Sequence, residues 1–166
     1  AASDVYKRQI LTHFENSLAA VPILTSYIPM LSGTGGNSGT QASTAVIRAL
    51  SLDEIDFSDL VAVVWKEIRV AVLCGVCLAA ANFVKMMVVD RWLMHNPEVT
   101  PLVALVVCLT LVFTVLCAKV VGCTLPMAAE KLGIDPAVMA SPFITTIVDA
   151  LSLLIYFRFA SFLLGI

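Results

Sequence analysis

Charge is what this chain has least of. Only 13% of its 166 residues are Asp, Glu, Lys or Arg, about half of what a water-soluble domain carries to keep its surface wet. The ten basic residues are outnumbered by twelve acidic ones, so no basic footprint for nucleic acid is present. Five cysteines are too few for a secreted disulfide scaffold. The two histidines, His13 and His95, fall in predicted loops and have no partner at helical spacing, so no Ser/His/Asp or Cys/His catalytic set can be assembled and an enzyme is not expected. Disorder is excluded by a hydrophobic content of 60%.

The apolar residues run in blocks. No charge occurs from Asn16 to Ile47, from Val70 to Val84 or from Val99 to Ala118, and about 20 residues suffice for a helix to cross a bilayer. The reading is an all-α, polytopic membrane protein with four transmembrane helices, spanning about 18–50, 61–89, 101–126 and 136–166. The polar stretch 1–9, AASDVYKRQ, reads as a non-native or truncated leader, and 10–166 as one membrane domain. The lipid bilayer is its environment, and the positive-inside count leans weakly toward a cytoplasmic connection between the first two spans.

The first span is expected to be interrupted. Pro22 and Pro29 remove backbone donors, and Ser32 to Gln41 puts ten small or polar residues mid-span, a stretch that cannot face lipid. Ser51 and Glu54 stand at capping-box spacing. Pro126 is expected to kink or end the third span, and Gly133 stands at a helix stop. Asp135 before Pro136 reads as an N-cap followed by proline at the first helical position.

Asp149 is the residue that most needs explaining. A carboxylate inside a span is costly unless it meets water or a partner, which makes it a functional candidate by default. Ser141, Thr145, Asp149, Ser152 and Tyr156 follow steps of four, four, three and four and share one face of the fourth span. Asn37, Gln41, Thr44 and Arg48 share a face of the first. Gly35, Gly39 and Ser43 form a small-xxx-small ridge, which serves close packing, an ion path or both. Amides and carbonyls beside a lone carboxylate suit a hard, hydrated cation better than a transition metal. The glycine-rich stretch lacks both the Walker lysine and the last glycine of a dinucleotide fingerprint. Asp135 is an N-cap, a surface carboxylate on the same path, or both. Cys74, Cys77, Cys108, Cys117 and Cys123 read as packing residues. Lys119 snorkels or pairs with an acidic group, and Arg158 reaches an interface.

Ile28-Pro29-Met30-Leu31 leading into Gly35-Gly36-Asn37-Ser38-Gly39-Thr40-Gln41, then Val46-Ile47-Arg48-Ala49-Leu50, resembles the second transmembrane helix of MgtE-type magnesium channels. Gly133-Ile134-Asp135-Pro136-Ala137 followed by Ser141-Pro142-Phe143-Ile144-Thr145-Thr146-Ile147-Val148-Asp149 resembles that family's fifth. The resemblance covers about Ile10 to the end and implies helices two to five of a five-helix domain, with residues 10–16 as the tail of the first. It further implies a homodimer in a bacterial inner membrane, cytoplasmic regulatory domains in a full-length protein, and Mg2+ as the transported ion. Asp149 would hold the hydrated ion and Asp135 would stand at the cytoplasmic mouth. Gly33, Gly36, Asn37, Thr40, Gln41, Ser141, Thr145 and Ser152 would line the path. Thr40 stands where the family pattern usually has a second Asn. The alternatives are a transporter of Co2+, Mn2+ or Zn2+, or a non-transporting membrane scaffold subunit.

Overall fold

A computed structural model describes residues 5, 8–10, 12, 14, 19–139 and 141–165. Most of the expected leader, and Leu18 at the start of the expected first span, lie outside the described residues. Four long helices make up the fold: α1 (Leu24–Ser51), α2 (Leu60–Lys85), α3 (Pro101–Lys131) and α4 (Ser141–Leu164). No strand occurs among the described residues. By length and apolar composition three segments qualify as membrane spans, Phe57–Leu93, Pro101–Lys131 and Pro136–Leu164. At 28 residues α1 is long enough as well, but its glycines, hydroxyls and amides dilute its apolar character.

Each helix runs opposite to the next. Leu24, Tyr27 and Leu31 at the start of α1 pack with Val103, Val106 and Val107 at the start of α3 and with Tyr156 and Ala160 late in α4. At the other end Val46 and Leu50 pack with Cys123 and Met127 of α3. Between these clusters lie Ala118, Ile144 and Val148. The central helix is α3, which touches the other three, whereas α1 and α4 also pack directly on each other. Helix α2 flanks the bundle and leaves Val61, Trp65, Leu73 and Val76 exposed, the apolar outer surface that a helix facing lipid requires.

The expected interruption of the first span falls at Pro22, where helical residues 19–20 give way to a turn before α1 begins at Leu24, and not at Pro29 or in the glycine-rich stretch. Helix α1 runs unbroken through Pro29 and the whole glycine-rich stretch, because a helix is the conformation in which a membrane segment satisfies its own backbone. Its glycines permit close approach instead. Nor does Pro126 end α3, which continues to Lys131. The stop comes at Gly133, which adopts a φ of 71°. Gly133 N donates to Glu130 O and Ile134 N to Ala129 O, closing the carbonyls that a helix end leaves open.

The connections also differ in detail. The capping box belongs to Asp56 and Asp59 around the 3-10 turn Phe57–Asp59, while Ser51 Oγ donates to Arg48 O. Lys131 sits 3.9 Å over the Phe57 ring. The second span leaves α-geometry at Met86 and finishes as a π-helical segment, Met86–Leu93. Asp135 does cap, its Oδ1 accepting from Ala137 N at 2.9 Å, but what it caps is the separate 3-10 turn Pro136–Met139. Fourteen residues of one straight helix therefore do not separate Asp135 from Asp149.

Candidate functional site: an intramembrane carboxylate beside α1

Asp149 lies on α4, buried to 9% exposure, where α4 crosses α1. The close crossing follows from glycine. A Cβ added at Gly35 would stand 2.7 Å from Thr114 Cγ2, 2.8 Å from Val148 Cγ1 and 3.0 Å from Ser152 Oγ. One at Gly36 would meet Thr145 Cγ2 at 3.2 Å, and one at Gly39 would meet Ile144 Cγ2 at 2.8 Å. Any side chain at these positions would push α4 away. Because none is present, Ser32 of α1 reaches Asp149 and its Oγ donates to Oδ1. A hydroxyl donating to a buried carboxylate oxygen holds that side chain in one orientation.

The opposite face of α1 is open in the single chain. Gly33, Asn37, Gln41, Thr44 and Arg48 are all exposed, at steps of four, four, three and four. They form a polar edge on a membrane helix, which lipid cannot solvate. Gly36 and Thr40 run between this edge and the packed glycine face.

The expected site residues therefore divide. The structure brings Asp149 to Ser32 and Gly36 to Thr145, and it leaves Gly33, Asn37 and Gln41 together on the open face. Ser152, expected on the path, is 1% exposed, donates to Val148 O at 2.6 Å and packs beneath Gly35. Tyr156 of the same stripe is fully buried and donates to Leu24 O at 2.9 Å. Thr145 is half-buried, its Oγ1 donating to Pro142 O at 3.2 Å. Ser141 begins α4, and its side chain lies outside the described residues.

Asp135 sits apart, at the end where α1 finishes. With Ile47, Leu50, Ser51 and Glu130 it lines a hollow of about 150 Å³. Beside it Asp53, Glu54, Asp56, Asp59 and Glu130 line another of about 270 Å³. This mouth is acidic. The Asp56 carboxyl is held below its ordinary value because Ser58 donates to it from both side chain and backbone. Clustered carboxylates raise the local concentration of cations.

Three elements of this region are not singled out by the sequence pattern. Ser32 is one, although Ser32, Gly36, Thr40 and Thr44 form a row in steps of four that extends the polar face back to the carboxylate. Thr114 is the second. It is 1% exposed and its Oγ1 has no partner among the described residues. The third is Glu67, which holds Lys119 in an ion pair, one of the two outcomes expected for that lysine, and joins α2 to α3. Among the described residues no three His, Cys, Asp or Glu converge as a metal group.

A helical membrane bundle that buries the Asp149 carboxylate within a span, beside a helix with an open polar face, has the construction of an ion-transport domain. Comparison with known proteins names the kind. Residues 28–159 match the MgtE model, described as a divalent cation transporter, and the chain belongs to this family. It is 40% identical over 155 residues to a magnesium transporter MgtE of Thermus thermophilus, covering 93% of this chain and 32% of that protein. A magnesium transporter MgtE of Bacillus subtilis is 35% identical over 153 residues, and one of Enterococcus faecalis 33% over 152. The chain thus spans about a third of the length of the curated relatives it matches.

Proposed function

We propose that this chain forms the membrane path of a magnesium transporter, in which two copies bring their α1 and α4 helices together around a shared axis. The observation that carries the reading is Asp149, ionisable and inside the membrane, held by Ser32 at the margin of the open α1 face. A second copy covering that face would remove Gly33, Asn37 and Gln41 from lipid and would set two carboxylates across one path. Mg2+ gives up its waters reluctantly. A path lined by amides, hydroxyls and backbone carbonyls, with the Asp149 carboxylates as its negative charges and Arg48 at the far end of the open face, would recognise the hydrated ion by size and charge. The acidic mouth with Asp135 and Glu130 would gather the same cations at the cytoplasmic end. The relatives are named magnesium transporters, which supports the choice of ion.

The test is Mg2+-dependent growth and flux in a transport-deficient host expressing the full-length protein. Asp149→Ala abolishes uptake and Asp149→Glu retains part of it, whereas intact uptake in the alanine variant would overturn the reading. Competition by Co2+, Mn2+ and Zn2+ in the same flux assay separates a magnesium path from one for another divalent ion. Cysteines placed at Asn37 and Gln41 should cross-link between copies. Monomeric protein with no such cross-link would refute the shared path.

A further inference from the structure

At the end of the bundle away from Asp135, a cavity of about 510 Å³ opens between the start of α1 and the π-helical end of the second span. Its lining is mixed: Tyr27 and Met30 from α1, Asn82 and Lys85 from α2, Asp90 and Asn96 beyond. Among the described residues Lys85 and Asp90 are the fully charged groups in its lining, one of each sign.

The π-helical segment creates this pair. Five residues apart on an α-helix, Lys85 and Asp90 would point about 140° away from each other. The i→i+5 winding of a π-helix stacks them instead, and Met94 N donates to Val89 O in that register. Lys85 Nζ consequently lies 2.7 Å from Asp90 Oδ2. Tyr27 donates to the same oxygen at 2.9 Å. Both contacts converge on Oδ2, so Asp90 Oδ1 has no partner among the described residues, and the Lys85 ammonium keeps N–H donors beyond the one it gives to Asp90. An acceptor carrying negative charge and donors carrying positive charge therefore stand side by side on the wall of one cavity.

The end of this segment has membrane-surface character. Trp92 and Leu93 in its last turn and Met94 after it are 72%, 63% and 70% exposed, and Met94 also lines the cavity. Large apolar side chains at a helix end belong at the level of lipid headgroups, where tryptophan is enriched.

We propose that this cavity is a binding site for a zwitterionic phospholipid headgroup of the phosphoethanolamine type. The phosphate oxygens accept from Lys85 Nζ and from the amide of Asn96, and the ammonium donates to Asp90 Oδ1. The acyl chains leave past Met94 and Met30. An anionic headgroup would satisfy Lys85 but meet the Asp90 carboxylate, and a bare cation would meet Lys85, so a ligand carrying both signs fits best. The assignment stands independently of the transport reading.

The test is native mass spectrometry of the full-length protein in detergent, with phosphatidylethanolamine and phosphatidylglycerol added in turn at equal concentration. The wild type should retain phosphatidylethanolamine at least five-fold more than phosphatidylglycerol. Asp90→Asn should invert that preference by leaving Lys85 unopposed, and Lys85→Gln, at a half-exposed side chain that the fold does not require, should lower retention of both. Equal retention of the two lipids by the wild type, or unchanged retention in Lys85→Gln, would overturn the proposal. Soluble phosphoethanolamine binding as tightly as the lipid would overturn the lipid assignment and identify a site for free phosphate esters.

Discussion

Lys119 and Glu67, 52 residues apart in sequence, meet at 3.0 Å inside the bundle, with side chains only 11% and 7% exposed. Lys66 approaches the other Glu67 oxygen at 3.8 Å from a side chain that is 65% exposed, so the buried partner of Glu67 is Lys119. An ion pair shielded from water gains little net free energy over an apolar pair, yet losing one partner strands the other.

Lys119→Met should therefore lower stability by about 3 kcal/mol, read as a lowered melting temperature in detergent. Adding Glu67→Gln to it should recover most of the loss. Additive losses in the double variant would show that the two residues act separately.

Two glycines two positions apart should respond oppositely. Gly35→Ala brings a methyl group onto Thr114, Val148 and Ser152 and should cost about 1–3 kcal/mol through overpacking. Gly33→Ala meets nothing within 4 Å and, in a helix interior, should leave stability unchanged or raise it by up to about 1 kcal/mol. On the proposed pathway Gly33→Ala still reduces Mg2+ flux, because its methyl projects from the open face. A melting curve and an uptake assay on the same preparations check both.

Ser32→Ala removes the hydroxyl that donates to Asp149. A hydrogen bond to a charged group contributes about 1.5–3 kcal/mol, so Mg2+ uptake should fall about ten-fold or more. Asp149→Ala should fall further. Ser32→Thr, which keeps the donor, should restore part of the activity, and that rescue separates loss of the bond from loss of packing.

Asp56 supplies a pH dependence outside the membrane. Its carboxyl is held low by Ser58, so the folded turn binds this proton less readily than the unfolded chain. The stabilisation is fully present above the ordinary aspartate value of about 3.9 and is lost as pH falls through the lower folded value. A titration of the Asp56 carboxyl carbon by NMR should show a midpoint below about 3.9, moving up toward it in Ser58→Ala.

Much of this architecture is legible in the sequence because membrane segments obey a strict rule. Uncharged blocks mark α1, α2 and α3, Gly133 marks the end of α3, and Asp135 before Pro136 marks a cap. The division of α1 into a glycine face and an amide face follows from its period of 3.6 residues. What misleads is the weight given to Pro29, Pro126 and the glycines as breakers, since that weight is calibrated for helices in water. In hydrocarbon no solvent competes for the backbone, and the helix persists. Ser152 and Tyr156 share a helical face with Asp149, yet periodicity cannot tell which neighbour that face meets, and the structure turns them into α1. The Lys119 and Glu67 pair depends on how α2 and α3 are rotated against each other, and the π-helical turn at Met86 leaves no mark on the hydrophobic pattern.

The glycine contact between α1 and α3 has a mechanical side. A Cβ at Gly122 would collide with the backbone of Gly39, so the two helices touch main chain to main chain there, with no side chain as a cushion. Such a contact blocks further approach, so any tilt of α1 against α3 pivots about this point. About 22 Å of α1 extends to one side of Gly39 and about 18 Å to the other at 1.5 Å per residue. A tilt that draws the Ser32 end toward α4 must swing the Arg48 end away from it, so the carboxylate and the acidic mouth are opposite arms of one lever.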